Sequence, residues 1–219
     1  MTPVAHLSDP LSALSVSDFA GSLASDAAVP GGGSASAAAG AFGASLLEMV
    51  VRLTLGKEKF RASWGDLEPL GDRLREARLR LLELVDEDTK SFDAVLAARR
   101  LPKESEAEKA ARQSAIDAAN VLATTVPMQT AFFAHESLEA APLVLEKGNP
   151  NAASDAWVAA LLLQGAALGA LANVRINLPG VPDPELSRGF LEDASDLEKK
   201  VSEALEKTRA LARARGLAS

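Results

Sequence analysis

Groups able to move protons in this 219-residue chain are almost all carboxylates and amines. Thirty Asp and Glu stand beside 23 Lys and Arg, with two histidines (His6 and His135), no tyrosine and no cysteine. Without cysteine there are no disulfides, thiolate metal ligands or thiol nucleophile. Two histidines so far apart give no imidazole-rich zinc centre and argue against a Ser-His-Asp triad, so no metal is expected. The search for chemistry narrows to carboxylates, lysines, amides and backbone.

Among the carboxylates, Asp88 has a distinctive place. Leu67, Leu70, Leu74, Ala77, Leu81 and Leu84 recur in alternating steps of three and four, the seam of an amphipathic helix. The same steps continue to Asp88, Ser91 and Val95. Either the face drifts and Asp88 is solvated, or a carboxylate points inward, where it needs a partner or a task.

Two further stretches have chemical potential. Gly31-Gly32-Gly33-Ser34 precedes an Ala-rich segment, and glycines before a helix N-terminus let a ligand approach free N–H groups and the positive end of the dipole. No Gly-Lys-Ser/Thr follows and no strand precedes, which excludes a P-loop and a dinucleotide fingerprint and leaves a flexible turn as the plain alternative. At the far end of that segment Lys57, Lys59 and Arg61 alternate, either as a solvated cluster or as a seat for a carboxylate-bearing ligand tail.

The elements that must position these groups read as helices. Alanine makes up about a fifth of the chain and aromatics 4%, which suits closely packed helices better than a sheet of β-branched residues. Ser17 is read as the N-cap of a short helix over 18–25, and Ser34 as the N-cap of a helix to about Leu55. Further helices are expected over 66–100, over 104–147 with a kink or break at Pro127 and again near Pro142, from about Asp155 to Val174, and over 184–215. A short strand is conceivable only at Arg175–Leu178. Residues 156–174 carry no charge and are long enough to span a membrane, but Gln164, Asn173 and the alanines and glycines point to a buried helix. Gly165 and Gly169, with Ala166 and Ala170, allow close helix contact in a bundle or dimer. The expectation is an all-α, single-domain bundle of long helices over 1–219, with residues 1–16 loosely ordered. The charge of −7 argues against nucleic-acid binding, and residues 1–16 lack the pattern of a secretory signal. A cytoplasmic location, with no membrane partner, is expected.

Four blocks, in order along the chain, resemble one family: VPGGGSASAAAGAFGASLLEMVVRLTLGKEKF, then DEDTKSFDAVLAARRLPK with the following EAEKAAR, then KGNPNAASDAWVAA, then ALANVRINLPGV. They are similar to the formiminotetrahydrofolate cyclodeaminase / methenyltetrahydrofolate cyclohydrolase family. That resemblance implies an all-helical homodimer acting on one-carbon derivatives of tetrahydrofolate, here as a stand-alone member without a transferase domain. The implied reactions are closure of 5-formimino-tetrahydrofolate with loss of ammonia, or hydration of 5,10-methenyl-tetrahydrofolate to the 10-formyl form. Both pass through a tetrahedral carbon between nitrogens and need proton transfer beside an amidinium charge, with no cofactor.

On that reading Asp88 is the leading catalytic acid, Asp155 the second carboxylate, and Lys103 a proton donor or tail-binding cation. Lys57 binds ligand, Gly31, Gly32, Gly33 and Ser34 form a backbone wall, and Asn173 and Asn177 read the pterin edge. Plain alternatives stand beside each role: a helix-start acid for Asp155, a helix-end cation for Lys103, helix capping for the two asparagines. The competing class is a folate-binding or scaffold protein of the same fold without activity, which would not need the GGGS, GK and LPK elements together.

Overall fold

The computed structural model describes residues 10–219, which contain seven α-helices and no strand. They are α1 (Val16–Leu23), α2 (Gly32–Leu55), α3 (Trp64–Arg99), α4 (Glu106–Leu138), α5 (Ala141–Lys147), α6 (Ala153–Asn177) and α7 (Pro184–Ala214). In a ring, α2 packs on α3, α3 on α4, α4 on α6 and α6 back on α2, while α7 lies across α6 and α4.

Small side chains decide how close the ring draws. A Cβ placed on Gly43 of α2 would lie 2.6 Å from Leu163 Cγ and 3.0 Å from the Ala159 carbonyl of α6, so only glycine permits this approach. Ala156, Ala159, Ala160, Leu163, Ala166, Ala167, Ala170, Leu171 and Val174 of α6 are all fully buried. Both α2 and α6 are long and apolar enough to cross a membrane, but these residues face neighbouring helices instead. Of the small-residue pair on α6, Gly169 abuts Ser36 of α2 and Gly165 has no neighbour.

The leucine seam of α3 stays inward along its whole length. Leu67, Leu74, Leu81 and Leu84 are buried in the apolar core with Leu47, Val50 and Val51 of α2, and Ser91 and Val95 continue the buried line. Asp88 is therefore carried inward on the same stripe and sits half-buried.

Several boundaries differ from the sequence expectation, each for a physical reason. Ser15, not Ser17, caps α1, accepting the Asp18 N–H. Helix α2 begins at Gly32 with Gly31 as N-cap, so Ser34 lies inside its first turn and its N–H is satisfied by Asp88 of α3. Arg175–Leu178 is not a strand but the end of α6 running into a 3₁₀ turn. Residues 10–16 are not loose: Leu11 is buried, and Ser12 Oγ donates to Asp86 Oδ2 at 2.6 Å. Residues 1–9 of that expectation lie outside the described residues.

Pro127 does not break α4, which runs unbroken from Glu106 to Leu138. A proline removes the N–H that would bond the carbonyl four residues back, here that of Ala123. Asn177 Nδ2 at the end of α6 donates to that very carbonyl at 2.7 Å. The vacancy left by Pro127 is thus filled from another helix, and the bond ties α4 to α6. The chain does break between Leu138 and Ala141, ahead of Pro142.

Candidate active site

Where α2 begins, α6 ends and α3 and α4 pass by, a cavity of about 380 Å³ opens, lined by Gly31, Gly32, Gly33, Asp88, Phe92, Arg99, Asn120, Asn173, Ile176 and Asn177, among others. Its volume lies in the usual range for small-molecule sites.

Asp88 is held from one side only. The backbone N–H and the Oγ–H of Ser34 each donate to Asp88 Oδ2 at 2.8 Å. Among the described residues no donor bonds Oδ1, which lies against Gly33; a Cβ there would be 2.0 Å from it. Gly33 is thus required by the approach of the carboxylate to the first turn of α2. That turn offers its dipole and spare N–H groups to an anion. Even so, burial is the stronger influence and raises the Asp88 carboxyl above the usual aspartate range, against the lowering effect of the two Ser34 bonds. No cation pairs with Asp88 among the described residues, which leaves it able to exchange a proton.

The two asparagines come from the last turns of α6. Asn173 Nδ2 donates to the Gly169 carbonyl one turn back at 2.9 Å, and Asn177 Nδ2 to Ala123 as above. Each amide gives one of its two N–H groups to backbone, so each side chain still offers a ligand one donor and an acceptor oxygen.

The cavity thus gathers Asp88, Gly31, Gly32, Gly33, Asn173 and Asn177, with Ser34 directly behind Asp88. Three expected site residues lie elsewhere. Lys57 follows the C-terminal end of α2, about 36 Å along the helix from its glycine start. Asp155 is in the first turn of α6, eighteen residues and about 27 Å of helix from Asn173. Lys103 is exposed in the connection after α3 and does not line the cavity. Geometry within one chain therefore separates these three from Asp88.

Phe92, Arg99 and Asn120 line the cavity without having been singled out in the sequence. For two of them a signal was present: Asp88, Phe92, Val95 and Arg99 follow steps of four, three and four, the same stripe that carries Asp88 inward. Asn120, whose amide packs on Gly180 in the turn after α6, had no such signal.

The family model for formiminotransferase-cyclodeaminase matches residues 15–196. Methenyltetrahydrofolate cyclohydrolase of Methylorubrum extorquens is 36% identical over 198 residues, covering 87% of this chain and 95% of that protein. Formimidoyltransferase-cyclodeaminase of Rattus norvegicus is 34% identical over 165 residues, 75% of this chain but 30% of that longer protein. The crystal structure of formiminotetrahydrofolate cyclodeaminase from Thermotoga maritima superposes with a TM-score of 0.81 at 27% identity, covering 93% of this chain and 98% of that one. With a matching model over most of its length, a near full-length relative and a common all-helical fold, the chain belongs to the formiminotransferase-cyclodeaminase family.

Proposed function

We propose that this chain is a one-carbon folate enzyme whose reaction occurs at the carbon between N5 and N10 of tetrahydrofolate, and that its activity is that of a methenyltetrahydrofolate cyclohydrolase. The observation that carries this reading is Asp88: a cation-free carboxylate, pinned by Ser34 through one oxygen and open at the other, in a cavity of substrate size. Similarity to the Methylorubrum cyclohydrolase over 95% of its length favours hydration over deamination.

In the proposed step Asp88 Oδ1 takes a proton from water as the water oxygen bonds to the methenyl carbon. The cationic amidinium becomes a neutral tetrahedral carbon. The bond from that carbon to N5 then breaks as N5 gains a proton from Asp88, the hydroxyl proton passes to solvent, and the product is 10-formyl-tetrahydrofolate. A carboxylate beside the amidinium stabilises the cation and moves the proton, so one group serves both needs. The amides of Asn173 and Asn177, each with an acceptor oxygen and a second N–H, suit the donor and acceptor edge of a pterin, and the flat face of Phe92 suits its ring. Arg99, the cationic residue lining the cavity, takes the tail carboxylate in place of Lys57 and Lys103. No metal or redox cofactor enters this chemistry.

Cyclodeamination is the second reading, favoured by the likeness to the Thermotoga cyclodeaminase. The same carboxylate would then protonate the departing amine. Parallel assays decide between them: loss of methenyl absorbance on 5,10-methenyl-tetrahydrofolate against ammonia released from 5-formimino-tetrahydrofolate. Turnover of the first alone supports the cyclohydrolase, turnover of the second alone replaces it, and failure of both to turn over leaves the inactive binding protein.

Assembly as a homodimer belongs to the same reading. Phe42 and Leu53 of α2 and Val158, Leu161 and Ile176 of α6 are large apolar side chains left exposed on these two neighbouring helices, 40% to 78% accessible. A second copy seated there would cover them, and because Ile176 also lines the cavity it would stand at the edge of the active site. Light scattering should give twice the mass of 22.8 kDa, and a monomer at micromolar concentration would refute it.

A further inference from the structure

Away from the Asp88 cavity, the last turn of α4 contains a cluster that the folate chemistry does not use. His135 is buried, with a side chain 6% exposed, and its Nε2 has no hydrogen-bond partner. Glu139 Oε1 stands 3.5 Å from that nitrogen, and Glu136 completes a group in which one ligand atom from each of the three residues lies within 4.8 Å of the others. A buried ring nitrogen with no hydrogen-bond partner beside two carboxylates leaves a polar gap that a cation, a metal ion or a proton, can fill.

We propose that His135, Glu136 and Glu139 form a binding site for a zinc-type divalent cation. Residues four apart face the same way on a helix, so His135 and Glu139 form one jaw and Glu136 approaches from the adjoining face. Two ligand atoms bound to a tetrahedral ion at 2.0–2.1 Å stand about 3.4 Å apart, close to the observed nitrogen-to-oxygen spacing. One imidazole and two carboxylates suit zinc or cobalt, whereas magnesium and calcium prefer all-oxygen shells. Negative carbonyls at the end of α4 also favour a cation. Glu139 is 54% exposed, which gives the ion a way in from solvent.

Neighbouring charges set the competition. Arg73 of α3 holds Glu136 Oε2 at 3.1 Å, leaving its other oxygen available. Across the gap Lys200 of α7, bridged to Asp196 at 2.7 Å, lies within electrostatic reach of Glu139. The ion must therefore be a stronger partner for Glu139 than the distant ammonium. His135 is twelve residues, about 18 Å of helix, from Ala123 at the cavity, so the ion would act on stability rather than on catalysis.

The test titrates the intact protein with Co(II) and with Zn(II). One equivalent should bind, with the visible bands of four-coordinate Co(II), and at a hundredfold excess of Zn(II) over its dissociation constant the melting temperature should rise by roughly 5–10 °C. Mg(II) and Ca(II) should not substitute. Glu139→Gln, on an exposed side chain, keeps the fold and should weaken binding at least tenfold, as should His135→Asn. Binding that survives both substitutions overturns the proposal, as does the absence of any bound metal. A melting temperature that follows pH through the histidine range while ignoring Zn(II) assigns the space to a proton and overturns it equally.

Discussion

Two carboxylates reach into this ring of helices, and their surroundings make opposites of them. Glu48 of α2 is buried between two guanidinium groups: Arg78 Nε donates to its Oε2 at 2.9 Å and Arg52 Nη2 to its Oε1 at 2.5 Å. Burial alone would raise its carboxyl, yet the hydrogen bonds and charges of Arg78 and Arg52 outweigh burial and hold it below the usual range. Asp88 of α3 has two donors from Ser34 but no cation among the described residues, and burial pushes it the other way. One acid is spent on holding α2 to α3. The other is kept reactive, and the difference lies in the partners, because both acids face inward.

The pH dependence of stability should show both signs. A carboxyl lowered in the folded state contributes stability that is complete above its unfolded value, near 4.5 for Glu48, and is lost as pH falls through the folded one. A raised carboxyl does the reverse. Asp88 favours the fold below its unfolded value, near 3.8, and that contribution is lost as pH rises through the higher folded value. Above its folded value the ionised Asp88 is therefore a cost to the fold.

Four substitutions would break or sharpen the contrast. Asp88→Asn should have the largest effect: turnover should fall by about 10²–10⁴-fold, as for loss of a general acid–base group, while the melting temperature at pH 7 rises because a buried charge is gone. Measured together by absorbance assay and thermal melt, a variant that stays active or melts lower would remove Asp88 from its role. Glu48→Gln should do the opposite, leaving turnover within a few-fold but costing about 3–5 kcal/mol in denaturant titration, since Arg78 loses its buried counter-charge. Ser34→Ala removes one of the two bonds that lower Asp88, so the acidic limb of the pH–rate profile should move to higher pH, with a stability loss of about 1–2 kcal/mol. An unmoved limb would mean that Asp88 is not the titrating group. Arg52→Ala should matter least, at about 0–1 kcal/mol, because its side chain is 66% exposed and Arg78 still holds Glu48.

The fold was legible to the extent that periodicity reports it. The leucine steps of α3 led straight to Asp88 because a helix that buries one stripe must bury what continues that stripe. What stayed hidden depended on contacts between distant segments. Ser34 reads as a cap because serine usually caps; inside this fold a carboxylate 54 residues away satisfies its N–H, letting α2 start three residues earlier. Lys57 and Asp155 look as suitable as Asp88 by residue type, and only the antiparallel course of α2 and α6 shows that they fall at the opposite end from the glycine loop. Phe92 and Arg99 were on a legible stripe but carry side chains that explain themselves as surface residues. The His135-to-Glu139 spacing is likewise visible in the chain, but the burial that strands the imidazole nitrogen is not.

The bond between Asn177 and the carbonyl freed by Pro127 ties the history of two distant positions together. A lineage that replaced Pro127 with alanine would return to α4 its own hydrogen bond, and Asn177 would be released to drift or to turn its amide toward the ligand. A lineage that lost Asn177 first would leave the Ala123 carbonyl facing the cavity without its partner. The order in which these two residues can change is therefore constrained, and related sequences should keep the proline and the asparagine, or lose them, as a pair.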